Sequence, residues 1–97
     1  MTLIILPAYN EELQISKVID ALREHGFSRV VVINDGSTDN TELVATKCGA
    51  KVLNHAINQG LGAALSTGLE SARKNNFDHV ITVDSDGQHL IEDVIKI

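Results

Sequence analysis

Short β-branched apolar runs alternate with helical patterns from one end of the chain to the other. Leu3 to Leu6, Val30 to Ile33, Lys51 to Leu53 and Val80 to Val83 read as strands. Between the first two, Leu13, Ile15, Val18, Ile19 and Leu22 recur at spacings near three and four, which predicts a helix. Asn10 is its expected cap, Glu11 and Glu12 fall in its first turn, and Gly26 closes it. A second helix is predicted to start at Asp39, which stands at capping-box spacing from Glu42, and to stop before Gly49. A third runs from about Gly62 to about Lys74, and its small face of Ala63, Ala64, Thr67, Gly68 and Ala72 allows close approach to a sheet. This alternation implies βαβ units and an α/β fold with a parallel sheet of about four strands and flanking helices. Leu90, Ile91, Val94, Ile95 and Ile97 predict one more amphipathic helix, inside which the chain stops. The expectation is a piece of a longer protein whose open apolar face and sheet edge favour a homo-oligomer.

Composition narrows the partners. With 97 residues the chain is one domain at most. A net charge of −5 without a Lys/Arg cluster argues against nucleic acid or an anionic membrane surface as a partner. An anionic ligand would therefore need a cation or backbone amides to offset that charge. No apolar run approaches the roughly 20 residues of a membrane span, and none resembles a signal peptide, so the expected location is cytoplasmic. Cys48 is the only cysteine, which excludes an intrachain disulfide and suggests a buried, inert thiol.

Each predicted strand is followed by a polar, sharply turning segment, and in a parallel sheet these segments share one edge. They are Pro7-Ala8-Tyr9-Asn10-Glu11, Asn34-Asp35-Gly36-Ser37-Thr38-Asp39, Asn58-Gln59-Gly60-Leu61-Gly62 and Asp84-Ser85-Asp86-Gly87-Gln88-His89. In the last, two carboxylates at i and i+2 share a face of an extended segment and can reach one cation. With the Gln88 amide oxygen they make a hard donor set suited to Mg²⁺ or Mn²⁺. Asp35, just past a strand end, can accept from the N–H edge of a nucleobase or from a sugar hydroxyl. Gly60 and Gly62 can open backbone N–H groups toward a phosphate at a helix start. The dinucleotide fingerprint fails, since Leu65 stands where its third glycine belongs, and no Gly-Lys-Ser/Thr exists for a P-loop. His25, His55 and His79 have no partner at ligand spacing and read as surface or packing residues; His89 differs only by adjacency to the acidic motif.

Taken together, the four segments closely resemble the N-terminal half of family 2 glycosyltransferases of the GT-A fold. The Asp84-x-Asp86-Gly87-Gln88-His89 form looks most like the polyprenyl-phosphate sugar transferases of the dolichol-phosphate mannose synthase type. The resemblance implies a Rossmann-like fold in which residues 1–97 are the nucleotide-sugar-binding part of a truncated catalytic domain. It places Pro7, Ala8, Tyr9, Glu11, Asp35, Gly60, Gly62 and Asp84 against a UDP- or GDP-linked sugar. Asp84, Asp86 and Gln88 would hold Mg²⁺ or Mn²⁺ on the diphosphate. The implied activity is that of a hexosyltransferase working with inversion, with a polyprenyl phosphate as acceptor and the intact protein at the cytoplasmic membrane face. Alternatives are a relative that glycosylates a sugar hydroxyl in polysaccharide synthesis, or a nucleotide- and metal-binding module without catalysis. No catalytic base is identifiable; a phosphate monoester, with a second pKa of about 6, needs none. Two positions depart from the pattern: Leu61 stands where Lys or Arg is frequent, and Asn34 where a second acid is common.

Overall fold

The computed structural model describes residues 1–84 and 93–96. In chain order the elements are β1 (Thr2–Ala8), α1 (Ile15–Glu24), β2 (Val30–Asp35), α2 (Thr41–Lys47), β3 (Lys51–His55), α3 (Leu61–Lys74), β4 (His79–Thr82) and β5 (Asp93–Lys96). One sheet holds all the strands in the order β3-β2-β1-β4-β5. The first four are mutually parallel, as expected, and β5 runs antiparallel to β4.

The two-residue period of the strands sorts their side chains onto two faces. Ile4, Leu6, Ala8, Val30 and Val32 bury against Ile15, Val18, Ile19 and Leu22 of α1 and Ala45 of α2. Leu3, Ile5, Val31, Ile33 and Val80 bury on the opposite face against Ala64 and Ala72 of α3. Each large aliphatic side chain removed from water in this way contributes about 1.5–3 kcal/mol. Cys48 is half-buried and packs on the α1/α2 side.

On the other face α3 uses small residues to come close. A Cβ placed on Gly68 would lie 2.5 Å from Ile5 Cγ2 and 2.9 Å from Ile5 Cδ1, so the helix seats directly on β1. Gly68→Val is accordingly expected to destabilise the fold by about 1–3 kcal/mol through overpacking. A thermal melt checks this, and an unchanged midpoint would mean that α3 can back away from the sheet at no cost.

Several helix starts differ from the sequence expectation. Leu13, assigned to the apolar stripe, is 81% exposed, and α1 begins only at Ile15. Glu11 and Glu12 therefore precede the helix, and the Glu11 carbonyl accepts from the N–H groups of Gln14 (3.0 Å) and Ile15 (2.8 Å) to close the turn. Asn10 does not cap α1; it sits at a φ of 54° and bonds elsewhere. In α2 the Asp39 carboxylate accepts from the Thr41 N–H (2.9 Å), but Glu42 does not complete a capping box and instead accepts from Asn54 Nδ2 at 2.7 Å.

The largest correction is at the end of the chain, where residues 93–96 are a strand rather than part of a helix. Val80 stands opposite Ile95 and Ile81 opposite Val94 in the β4–β5 register. Adjacent β-branched residues suit either state locally, and the open outer edge of β4 supplies the hydrogen-bond partners that decide for the strand. The self-association expected from an uncovered final helix thereby loses that premise. Among the described residues no helix is long and apolar enough to cross a membrane.

This topology places the carboxyl ends of the four parallel strands on one edge. The chain steps outward from β1 to β2 and β3, then returns through α3 to β4 on the other side of β1. The switch point between β1 and β4 is where open α/β sheets receive ligands.

Candidate functional site

The edge is built from two loops stitched together and a third clamped by a carboxylate. Asn10 reaches the β2–α2 loop: its N–H donates to Ser37 Oγ (2.9 Å), and its Oδ1 accepts from the Thr38 N–H at 2.8 Å. The Thr41 hydroxyl accepts from the Glu11 N–H (2.9 Å) and donates to Asp39 Oδ1 (2.5 Å), while the Glu12 N–H donates to Asp39 Oδ2 at 3.3 Å. Burial would push the Asp39 carboxyl up, yet the Thr41 hydroxyl, the Thr41 N–H and the Glu12 N–H outweigh it and hold the pKa below the ordinary carboxylate value. Two residues read from sequence as helix caps thus join the β1–α1 and β2–α2 loops, which fixes where Tyr9 and Glu11 stand.

Asp35 organises the third loop. It is the last residue of β2, only 5% exposed, and its neighbour across the sheet is His55, the last residue of β3. Oδ1 accepts from His55 Nδ1 (2.8 Å) and from the Gln59 N–H (2.9 Å), and Oδ2 accepts from the Gly60 N–H at 2.8 Å. Burial raises the Asp35 pKa, but the Gln59 N–H, the His55 ring and the Gly60 N–H together bring it below the usual value. The loop is also pressed against Gly36, which has a φ of +75° and would carry a Cβ only 2.5 Å from the Asn58 nitrogen. A residue there must tolerate left-handed backbone and offer no side chain, which selects glycine. On the other face of β2, Asn34 donates from Nδ2 to Asn54 Oδ1 (2.9 Å) and accepts from the Ser37 N–H at 3.3 Å. Its amide is a structural link at a position where the resembled family often has an acid.

Pro7, Ala8, Tyr9, Asp35, Gly60 and Leu61 line a cleft of about 200 Å³ at this edge. Pro7 sits in β1 without breaking the ladder. Ile5 O accepts from the Val83 N–H, so Ile5 faces β4, and Pro7, two residues on, faces the same side beyond the last β4 residue paired with β1, Thr82. Tyr9 is 46% exposed and contributes to the cleft lining. The cleft is largely apolar in lining with one carboxylate in its wall, a combination that fits a flat ring carrying an N–H donor.

The structure therefore gathers Pro7, Ala8, Tyr9, Asp35 and Gly60 from the sequence-predicted set. Glu11 and Gly62 stand on the same edge but do not line the cleft. The Gly60 N–H, expected to face a phosphate, is turned inward to Asp35. Asp84 follows the end of β4 beside β1, half-buried. Among the described residues its carboxylate has no hydrogen-bond partner, unlike those of Asp35 and Asp39. Asp86, Gln88 and His89 lie outside the described residues, and among the described ones no three His, Cys, Asp or Glu residues cluster as a metal site. His55 is the residue that sequence reasoning missed. Far from being a generic packing residue, it is the cross-strand partner of Asp35. The available signal was that Lys51-Leu53-His55 and Val31-Ile33-Asp35 are parallel alternations, each ending on a polar residue.

Residues 3–97 match the family model described as glycosyl transferase family 2. The chain is 42% identical over 94 residues to the uncharacterized protein MJ1222 of Methanocaldococcus jannaschii, covering 97% of this chain and 39% of that one. It is 33% identical over 111 residues to the UDP-N-acetylglucosamine–dolichyl-phosphate N-acetylglucosaminyltransferase of Methanococcus voltae, covering 97% of this chain and 44% of that one. Among solved structures, glucosyl-3-phosphoglycerate synthase of Mycobacterium tuberculosis in complex with Mn²⁺ and UDP-glucose superposes with a TM-score of 0.76. That match has 32% identity and covers 89% of this chain and 33% of the synthase. The chain thus spans between about a third and a little under half of the length of these relatives.

Proposed function

The chain belongs to glycosyl transferase family 2, and we propose that its carboxyl edge is the nucleotide-sugar site of a metal-dependent glycosyltransferase that passes the sugar, with inversion, to a polyprenyl phosphate. The observation that carries this reading is the convergence of Pro7, Tyr9 and Asp35 on one cleft, with Asp84 at the switch point between β1 and β4. In this reading the nucleoside base lies between Tyr9 and Leu61, with an N–H donated to Asp35. Asp84, Asp86 and Gln88 would hold Mg²⁺ or Mn²⁺. Bound there, the metal would neutralise the diphosphate and the charge that builds on the departing nucleotide.

Two relatives support the finer assignment. One is named for a dolichyl-phosphate acceptor and a UDP-linked sugar, and the other was solved with Mn²⁺ and UDP-glucose. A phosphate acceptor needs no base, because a monoester with a second pKa of about 6 is already an anionic nucleophile at neutral pH.

Calorimetry of UDP and of GDP binding, each with and without Mn²⁺, tests the proposal. Binding of one nucleotide, tightened at least tenfold by Mn²⁺, is the expected result. Failure of both nucleotides to bind in the presence of Mn²⁺ would overturn it.

A further inference from the structure

The ring of His55 is 10% exposed and bridges two elements: Nδ1 lies 2.8 Å from Asp35 Oδ1, and Nε2 lies 2.8 Å from Thr67 Oγ1 of α3. An ionised carboxylate only accepts, so Nδ1 carries a proton in either charge state of the ring. Nε2 is then the variable atom. Thr67 Oγ1 lies 3.0 Å from the Ala63 carbonyl as well, and its single proton can serve only one of these neighbours. With a neutral ring the hydroxyl donates to Nε2. With an imidazolium, Nε2–H donates to the hydroxyl, which turns its own proton to Ala63. Both arrangements use the same heavy-atom positions and leave the Nδ1–H bond to Asp35 intact.

Among the charged side chains around the ring, Asp35 is the one hydrogen-bonded to it. Asp35 faces the ring from β2, while α3 offers the neutral Thr67. Glu70 and Lys74 of α3 pair with each other at 3.9 Å, both well exposed, and Lys51 of β3 is exposed four residues back.

We propose that His55 is a positioning residue for nucleotide binding, aiming the Asp35 carboxylate at the cleft through Nδ1–H while Thr67 makes that grip independent of the charge on the ring. The role rests on the function proposed above. Asp35 forms part of the cleft wall and His55 does not, so the histidine acts through the carboxylate. His55 and Gln59 fill both lone pairs of Oδ1, whereas Oδ2 takes only the Gly60 N–H and keeps one lone pair for a ligand. Without the ring, each oxygen keeps one backbone donor, Gln59 N–H on Oδ1 and Gly60 N–H on Oδ2, and the asymmetry between them is lost.

The test compares His55→Asn, whose amide N–H can take the place of Nδ1–H, with His55→Gln, which reaches toward Thr67 but not Asp35. Affinity for UDP and GDP is measured with Mn²⁺ on the intact protein, and ¹⁵N shifts of the His55 ring are followed from pH 5 to 8. His55→Gln is expected to lose about tenfold or more in nucleotide affinity, the worth of a charge-assisted hydrogen bond, and His55→Asn to recover most of it. In the wild type, Nδ1 stays protonated throughout. Equal affinity in the two variants, or an unprotonated Nδ1 at pH 8, overturns the role of His55 alone. Failure of the wild type to bind either nucleotide overturns the proposed function and this role with it.

Discussion

Asp35→Ala is expected to lower folding stability by about 3–5 kcal/mol, in addition to weakening nucleotide binding. The substitution removes the acceptor of three inward-facing donors at once: His55 Nδ1–H, the Gln59 N–H and the Gly60 N–H. Read from sequence, Asp35 is a nucleoside contact whose loss weakens nucleotide binding without abolishing metal binding. Its three internal bonds make it the clamp of the β3–α3 loop as well. The pH dependence gives a second signature. Because the folded-state pKa of Asp35 is lowered, with the Gln59, His55 and Gly60 donors outweighing burial, the native state holds this proton less tightly than the unfolded chain. The contribution is therefore complete above the unfolded value of about 4 and is lost as pH falls through the lower folded value. Urea denaturation of wild type and variant at neutral pH, and again below pH 4, should show a stability gap that narrows with acid. The Asp39 contribution has the same sign and remains in both proteins. An equal midpoint at neutral pH would mean that packing of residues 57 and 58 on Gly36 holds the loop without the carboxylate.

Much of the fold was legible because its signals are local. The short apolar runs at Leu3, Val30 and Val80, bounded by turn residues, read as buried strands, and the small residues Ala64, Gly68 and Ala72 announced a helix pressed on a sheet. That the carboxyl ends of the four parallel strands share one edge followed from parallel topology alone. What escaped was long-range. His55 meets Asp35 across 20 positions, and only the β2–β3 register makes them neighbours. Asn10 and Asp39 have the chemistry of helix caps, and sequence alone cannot show that the loops they sit in touch each other. The same holds for β5: its residues carry a pattern compatible with a helix, and the vacant edge of β4 is a property of the assembled sheet. Each error is a place where a side chain or an edge found a distant partner that outbid the nearby one.

The double substitution Asp84→Asn, Asp86→Asn is expected to behave in the opposite way to Asp35→Ala, with stability nearly unchanged and metal-dependent nucleotide binding reduced by a hundredfold or more, roughly the several kcal/mol that a bound cation supplies to an anionic group. Asp84 follows β4, is half-buried, and has no hydrogen-bond partner among the described residues. In a chain of net charge −5 that carboxylate repels a diphosphate unless a cation sits between them. Removing both charges weakens the cation site, and the remaining amide oxygens are poorer ligands for a hard metal. Calorimetric titration of Mn²⁺, and of UDP and GDP in its presence, reads the binding, and thermal melts read the fold. Equal Mn²⁺ affinity in wild type and variant would remove the metal assignment from this motif. Lost binding accompanied by a collapsed melting temperature would show that Asp84 and Asp86 serve the fold instead, and would leave the diphosphate to be held by the backbone N–H groups at the start of α3.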